Sequence, residues 1–136
     1  MLIERRTFLA AAGLPAVAAG DPKAVPDYEK PLFNLHKVST TPVKIASIDL
    51  LRTGEHYFVR TRSTDGAEGI ARTKQIEDFI PIFERRVAPF FLGRDARDLE
   101  SLIDGVYIQN YKMAGQAFWC PVAFVEQSLF DLLGKV

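Results

Sequence analysis

From Val43 to Ala71 the apolar residues come in short runs parted by turn residues. Val43–Leu51 carries Val43, Ile45, Ile48, Leu50 and Leu51 and predicts a strand, because β-branched and apolar side chains suit a pleated, half-buried surface. Arg52-Thr53-Gly54-Glu55 breaks that run, and His56–Arg62 is a second strand candidate. The Asp65-Gly66 pair that follows is a hairpin signal, since glycine takes the positive φ of a tight turn without steric cost. Ala67–Ala71 reads as a short third strand. Three strands joined in sequence by tight turns predict an antiparallel meander.

Beyond it the period changes from 2 to about 3.6. In Gln75–Leu92, Ile76, Phe79, Ile80, Phe83 and Val87 share one helical face. Pro81 either opens that helix at its first turn or kinks it, and Pro89 and Gly93 end it. Asp95 offers an N-cap, and Leu99, Leu102, Ile103, Val106 and Tyr107 follow as an amphipathic stripe. Arg94, Arg97, Asp98, Glu100 and Asp104 are expected on its solvated side. Asn110–Gln116 reads as a loop. Pro121 is expected to start a last helix bearing Val122, Val125, Leu129, Leu132 and Leu133, with Gly134 as its C-cap. The fold class expected is α+β: a three-stranded antiparallel meander followed by a bundle of about three helices.

The N-terminal stretch follows neither period. Arg5-Arg6-Thr7-Phe8-Leu9 precedes a weakly apolar Ala/Gly-rich segment, and Ala16-Val17-Ala18 fits a small-x-small cleavage site. Residues 1–19 resemble a twin-arginine export signal, with Arg5 and Arg6 as its pair. Glu4 stands where Ser or Thr is usual. The expected destination is the bacterial periplasm. Residues 20–42 hold Pro22, Pro26, Pro31 and Pro42 and read as a proline-rich linker in which His36 is a solvated side chain. The folded domain is expected over 43–136.

Composition narrows the function classes. The 136 residues carry 17 Lys+Arg against 17 Asp+Glu, so a neutral chain lacks the basic footprint of sequence-independent nucleic-acid binding. The single cysteine, Cys120, forms no intrachain disulfide and builds no zinc site alone; it reads as packing beside Trp119. No apolar run reaches the roughly 18–20 residues that span a bilayer. The acidic residues fall mostly on turns and charged helix faces, so they assemble no Mg²⁺ ligand set. Asp131 reads as a helix-end hydrogen-bonding group.

Three phrases in order carry a resemblance that covers nearly all of 43–136. Phe58-Val59-Arg60-Thr61-Arg62-Ser63-Thr64-Asp65-Gly66 is similar to the second strand and turn of the mandelate racemase/muconate lactonizing enzyme group. Val87 to Glu100, with Pro89, Leu92-Gly93-Arg94-Asp95 and Asp98-Leu99-Glu100, resembles that group's next signature. Val125 to Lys135 resembles its helix ending in aromatic-Asp-Leu-x-Gly-Lys. The sequence departs from the group at Arg72, where Glu often follows the third strand. The resemblance is to the N-terminal capping domain of the enolase superfamily.

That resemblance implies abstraction of a proton α to a carboxylate, with the enediolate stabilised on Mg²⁺. It places base and metal ligands in a following (β/α) barrel, the expected partner, so no catalytic or metal residue is assigned here. Two cap loops are implied to close over the barrel mouth and help choose a small carboxylate substrate. Carried over, they supply Arg52, Thr53, Glu55 and His56 from the first loop, and Arg72, Thr73 and Lys74 from the second. The implied activity is that of a racemase, cycloisomerase or dehydratase, absent from this chain alone; the full-length form is a possible homo-oligomer. Two other readings stand beside it. One is a non-catalytic exported binding module. The other is a small complete enzyme using His56 or Glu55, which the lack of a convergent acid, base and oxyanion set disfavours.

Overall fold

The structure, a computed structural model, describes residues 25–136. The segment expected to be an export signal, with Arg5 and Arg6, lies outside them. The chain divides into two units at Lys30/Pro31. In the first, residues 25–30 are exposed and form one 3₁₀ turn, Asp27–Glu29, closed by a Lys30–Asp27 ion pair of 2.5 Å.

The second unit opens with an arm, residues 31–42, that includes the short helix α1 (Leu35–Val38). Strands β1 (Ile45–Thr53), β2 (His56–Ser63) and β3 (Glu68–Arg72) follow, pairing antiparallel in the order β1-β2-β3. The expected meander and both of its turns are present. Gly54, at φ +59, begins a two-residue turn between β1 and β2, and Gly66, at φ +94, lies between β2 and β3. Cross-strand pairs Asp49–Arg60 and Arg62–Glu68, each at 2.9 Å, occupy one face of the sheet. The other face presents Val59, Thr61, Gly69 and Ala71, all buried.

That buried face meets α5 (Gln116–Leu133). The approach is closest at small residues. Thr61 Oγ1 lies 2.7 Å from Ser128 Oγ, both fully buried, and Ser128 Oγ also donates to the Val125 carbonyl at 2.8 Å. Gly69, opposite Thr61 in the register, has no room for a side chain. At the end of α5, Asp131 accepts the Ile70 N–H at 2.8 Å and an ammonium hydrogen of Lys135 at 2.5 Å. The Ile70 amide lies on the otherwise unpaired edge of β3, so Asp131 satisfies an edge donor there.

The helical segment after the sheet is less regular than its pattern predicts. A 3₁₀ turn (Glu77–Phe79), α2 (Ile80–Ile82), a π turn (Phe83–Val87) and α3 (Ala88–Phe91) succeed one another. Pro81 sits in the first turn of α2, one of the two positions expected for it. The π turn lets Phe83 and Val87 both stay buried while Arg85 and Arg86 remain outside. Asp95 caps the 3₁₀ turn Ala96–Asp98, and α4 (Leu99–Gln109) buries Leu99, Leu102 and Val106. Phe83, Phe91 and Phe118 are the largest wholly buried side chains, each adding about 2 kcal/mol by leaving water.

Two expectations are corrected. Pro121 does not start the last helix. It lies buried inside α5, which begins at Gln116, and its missing N–H leaves the Ala117 carbonyl without a helical donor. Gly134 is the C-cap of α5 as expected, with a right-handed φ of −72° and its N–H donating to the Phe130 carbonyl at 3.0 Å. Residues 31–42 are no free linker. Both oxygens of Glu100 accept backbone N–H groups, from Leu32 at 2.9 Å and Phe33 at 3.0 Å. His36 Nε2 lies 2.7 Å from Asp98 Oδ1, and Arg97 donates to the carbonyls of Ser39 and Thr40. Phe33 meets Phe130 of α5 edge-on at 6.1 Å.

Candidate functional site

The two loops named from the sequence meet at one end of the sheet, because β2 connects them. Its first residue, His56, closes the β1–β2 turn opposite Thr53, and its third, Phe58, pairs with Arg72 at the end of β3. Arg72 Nη2 lies 3.3 Å from His56 Nδ1. A guanidinium only donates, so Nδ1 accepts and the imidazole proton sits on Nε2, free to donate outward. Thr73 ties the second loop down, its N–H and hydroxyl both donating to the Tyr57 carbonyl at 2.9 and 3.0 Å.

Sequence reasoning missed Tyr57. Its carbonyl anchors the second loop, and its ring lies 5.4 Å from the Arg52 guanidinium in the first. The signal was present in the alternation of β2, since the residue next to His56 must point to the other face. Arg52 also donates from Nε to the Gly54 carbonyl at 2.9 Å, which curls its head back over its own turn. Arg52, Thr53, Glu55, His56, Arg72 and Lys74 are exposed, and Thr73 is half-buried. The loop end therefore carries three cations, Arg52, Arg72 and Lys74, against the single carboxylate of Glu55. Gln75 adds a backbone at φ +55, a left-handed conformation that costs a residue with a Cβ about 1 kcal/mol or more, and it directly precedes the wholly buried Ile76.

The arrangement can bind and orient an anion. Arginine forks match carboxylate oxygens, and the His56 Nε2–H adds a neutral donor. It holds no buried acid–base pair. The perturbed carboxyl groups lie elsewhere. The Arg97 side chain holds Asp95 down to about 2, Lys135 lowers Asp131, and burial raises Glu126. Among the described residues no three His, Cys, Asp or Glu side chains converge, so these residues do not fit a Mg²⁺ site. Tyr111 and Lys112 are exposed on the 3₁₀ turn Tyr111–Met113, on the far side of α4 in sequence from both loops. None of the described helices is long and apolar enough to cross a membrane.

No protein-family model matches the chain. A D-galactonate dehydratase family member from Paenibacillus sp. (strain JDR-2) is 27% identical, over 68% of this chain and 24% of that protein. A provisionally assigned racemase from Roseobacter denitrificans is similar in structure at a TM-score of 0.62 and 31% identity, over 68% of this chain and 26% of that one. A mandelate racemase/muconate lactonizing protein from Paracoccus denitrificans gives a TM-score of 0.62 and 25% identity, over 68% and 27%; that protein is also known complexed with magnesium. The chain spans about a quarter of the length of the relatives it matches. By fold and sequence, this chain carries an N-terminal domain of the mandelate racemase/muconate lactonizing enzyme type, within the enolase superfamily.

Proposed function

We propose that the domain is the substrate cap of an exported enzyme that removes a proton α to a carboxylate with Mg²⁺ assistance. The observation that carries this reading is the joining of the two loops at one end of the sheet, through Arg72–His56 and Thr73–Tyr57, with their cations exposed. Arg52, Arg72 and Lys74 draw the substrate carboxylate, His56 donates to a polar substituent, and Thr53, Glu55 and Thr73 shape the rim. Water exclusion over the barrel mouth is the cap's contribution to the reaction. The base and the metal ligands belong to the barrel, which supplies the Lewis acid chemistry. The dehydratase and racemase names of the relatives fit this class without choosing a substrate.

The test begins with the reading frame after codon 136. It is expected to continue for roughly 250 residues, one barrel. The encoded protein, with Mg²⁺ in D₂O, is expected to exchange the α-proton of a carboxylic acid. Arg72→Ala in it should raise KM about tenfold, with a smaller effect on kcat. A stop codon at 137, or no exchange across a broad panel of acids, overturns the catalytic reading in favour of a non-catalytic binding module. Export is read from residues 1–19 by the same proposal. A reporter fused after residue 42 should reach the periplasm, and Arg5→Lys with Arg6→Lys should hold it in the cytoplasm.

A further inference from the structure

A second concentration of positive charge lies away from the loops, and the cap reading does not use it. The π turn, the turn after α3 and the C-terminal end of α4 enclose a cleft of about 310 Å³. Arg85 and Arg86 reach it from the π turn, and Arg94 from the turn after α3. Pro89, Phe90 and Leu92 give it an apolar side.

No aspartate or glutamate lines this cleft. That is unexpected in a chain with equal numbers of acidic and basic residues. Among the described residues the ion pairs engage Lys30, His36, Arg60, Arg62, Arg97 and Lys135, and none of the three cleft arginines. Arg94 is instead held over the Phe90 ring at 4.0 Å from its centroid, and Phe90 is itself braced edge-on against the buried Phe91. Stacking fixes the plane of a guanidinium while leaving its N–H donors unspent. The C-terminal end of α4 brings about half a negative charge to the cleft. That offsets a fraction of three full positive charges. The Asn110 amide commits one N–H to the Val106 carbonyl, at 2.9 Å.

We propose that this cleft is a binding site for a phosphate group, either free or as the ester of a small molecule. One carboxylate offers a single charge and two oxygens, too few for three guanidinium forks. A phosphate brings close to two charges and at least three acceptor oxygens. The cleft volume leaves room for a small organic body beside the phosphate, on the Pro89, Phe90 and Leu92 side. The irregular π turn is part of the device. It keeps Phe83 and Val87 in the core while sending two consecutive arginines outward, and such turns are frequent at binding sites.

The test titrates the whole ¹⁵N-labelled chain with inorganic phosphate and with sodium chloride at matched ionic strength. The expected result is saturable shifts confined to residues 85–94 and 109–110 and to the Arg94 side-chain Nε–H, with chloride producing none. Arg85→Gln and Arg94→Gln should each weaken phosphate binding about tenfold, the usual scale for losing a charge-assisted hydrogen bond. Arg94→Lys, which keeps the charge and loses the stacked fork, should weaken it nearly as much. Arg72→Gln, in the loop site, should leave it unchanged, so this result stands apart from the fate of the cap reading. A phosphate monoester and vesicles of anionic lipid complete the panel. Tighter binding of the monoester supports the site. Shifts that follow ionic strength alone, acetate binding as tightly as phosphate, or a response to vesicles with none to free phosphate each overturn it. Unchanged thermal melting of the variants shows that a lost response is not a lost fold.

Discussion

Gly69 shows how a single hydrogen atom can set the spacing of two elements. A Cβ built there would lie 1.9 Å from the Ser128 carbonyl oxygen and 2.4 Å from the Leu132 nitrogen. Both are helix backbone, which cannot turn aside as a side chain can. Gly69→Ala should therefore cost about 3 kcal/mol or more, read as a fall in the denaturation midpoint, by pushing β3 off α5. Ser128→Ala, which removes only a hydroxyl from the same contact, should cost about 1 kcal/mol. Similar losses from the two would show that the helix can retreat. Asp95 carries a second residue-scale prediction. It accepts the Val43 N–H at 3.2 Å and the Arg97 N–H at 3.0 Å, and forms a forked pair with the Arg97 guanidinium. Its pKa is lowered from 3.8 to about 2, chiefly by the Arg97 side chain. A depressed carboxyl contributes stability that is complete above the unfolded value and is lost as pH falls through the folded one. The shift corresponds to about 2 kcal/mol, present at pH 5 and lost between about pH 4 and pH 2. Asp95→Asn should remove that much at pH 5 and flatten this part of the acid-unfolding curve. A curve unchanged in that window would place the acid sensitivity elsewhere.

At the scale of elements, the arm is the segment whose sequence misleads most. Its prolines forbid regular structure, and that much was legible. Among its attachments is one carboxylate sixty-seven residues away in sequence from Phe33, taking two consecutive main-chain N–H groups. Such pairing leaves no periodic trace in either segment. Glu100→Ala should release the arm at a cost of about 1 kcal/mol or less and speed trypsin cleavage after Lys37, while thermal melting of the core barely moves. Cleavage at the wild-type rate would show that Phe33 and His36 hold the arm without Glu100. The meander was readable because turn chemistry is local: Gly54 and Gly66 stand at positive φ where strands must reverse. The α4 stripe was readable because Leu99, Leu102 and Val106 repeat within one element. Pro121 was not, because a proline inside a helix is tolerated only when packing from other elements compensates it, and its burial is a tertiary fact. The π turn was hidden for the same reason, since its extra residue serves the buried Phe83 and Val87.

At the scale of the whole molecule, the sheet divides the chemistry. Its outer face is spent on cross-strand ion pairs, its inner face on α5, and only its loop end leaves arginines, a lysine and a histidine unburied together. The named loops were legible as loops. Their mutual contact was not, because Arg72 and His56 come together only through the β2–β3 register. Phe33, where the chain enters the domain, lies against Phe130, a few residues before α5 ends. Entry and exit thus share one corner, and this has a mechanical meaning. A force pulling residues 31 and 136 apart acts across that aromatic contact, the Glu100 bonds, the His36–Asp98 contact and the Arg97 bonds to Ser39 and Thr40, and reaches the strands only after these have opened. The arm peels one attachment at a time, whereas the sheet must shear as a unit. In a single-molecule pulling experiment it should yield as an early, low-force step of about a dozen residues, each lengthening the chain by roughly 3.5 Å. A single abrupt rupture would mean that the arm and the sheet share the load. The corner is a fuse, and the meander behind it is spared the first strain on the chain.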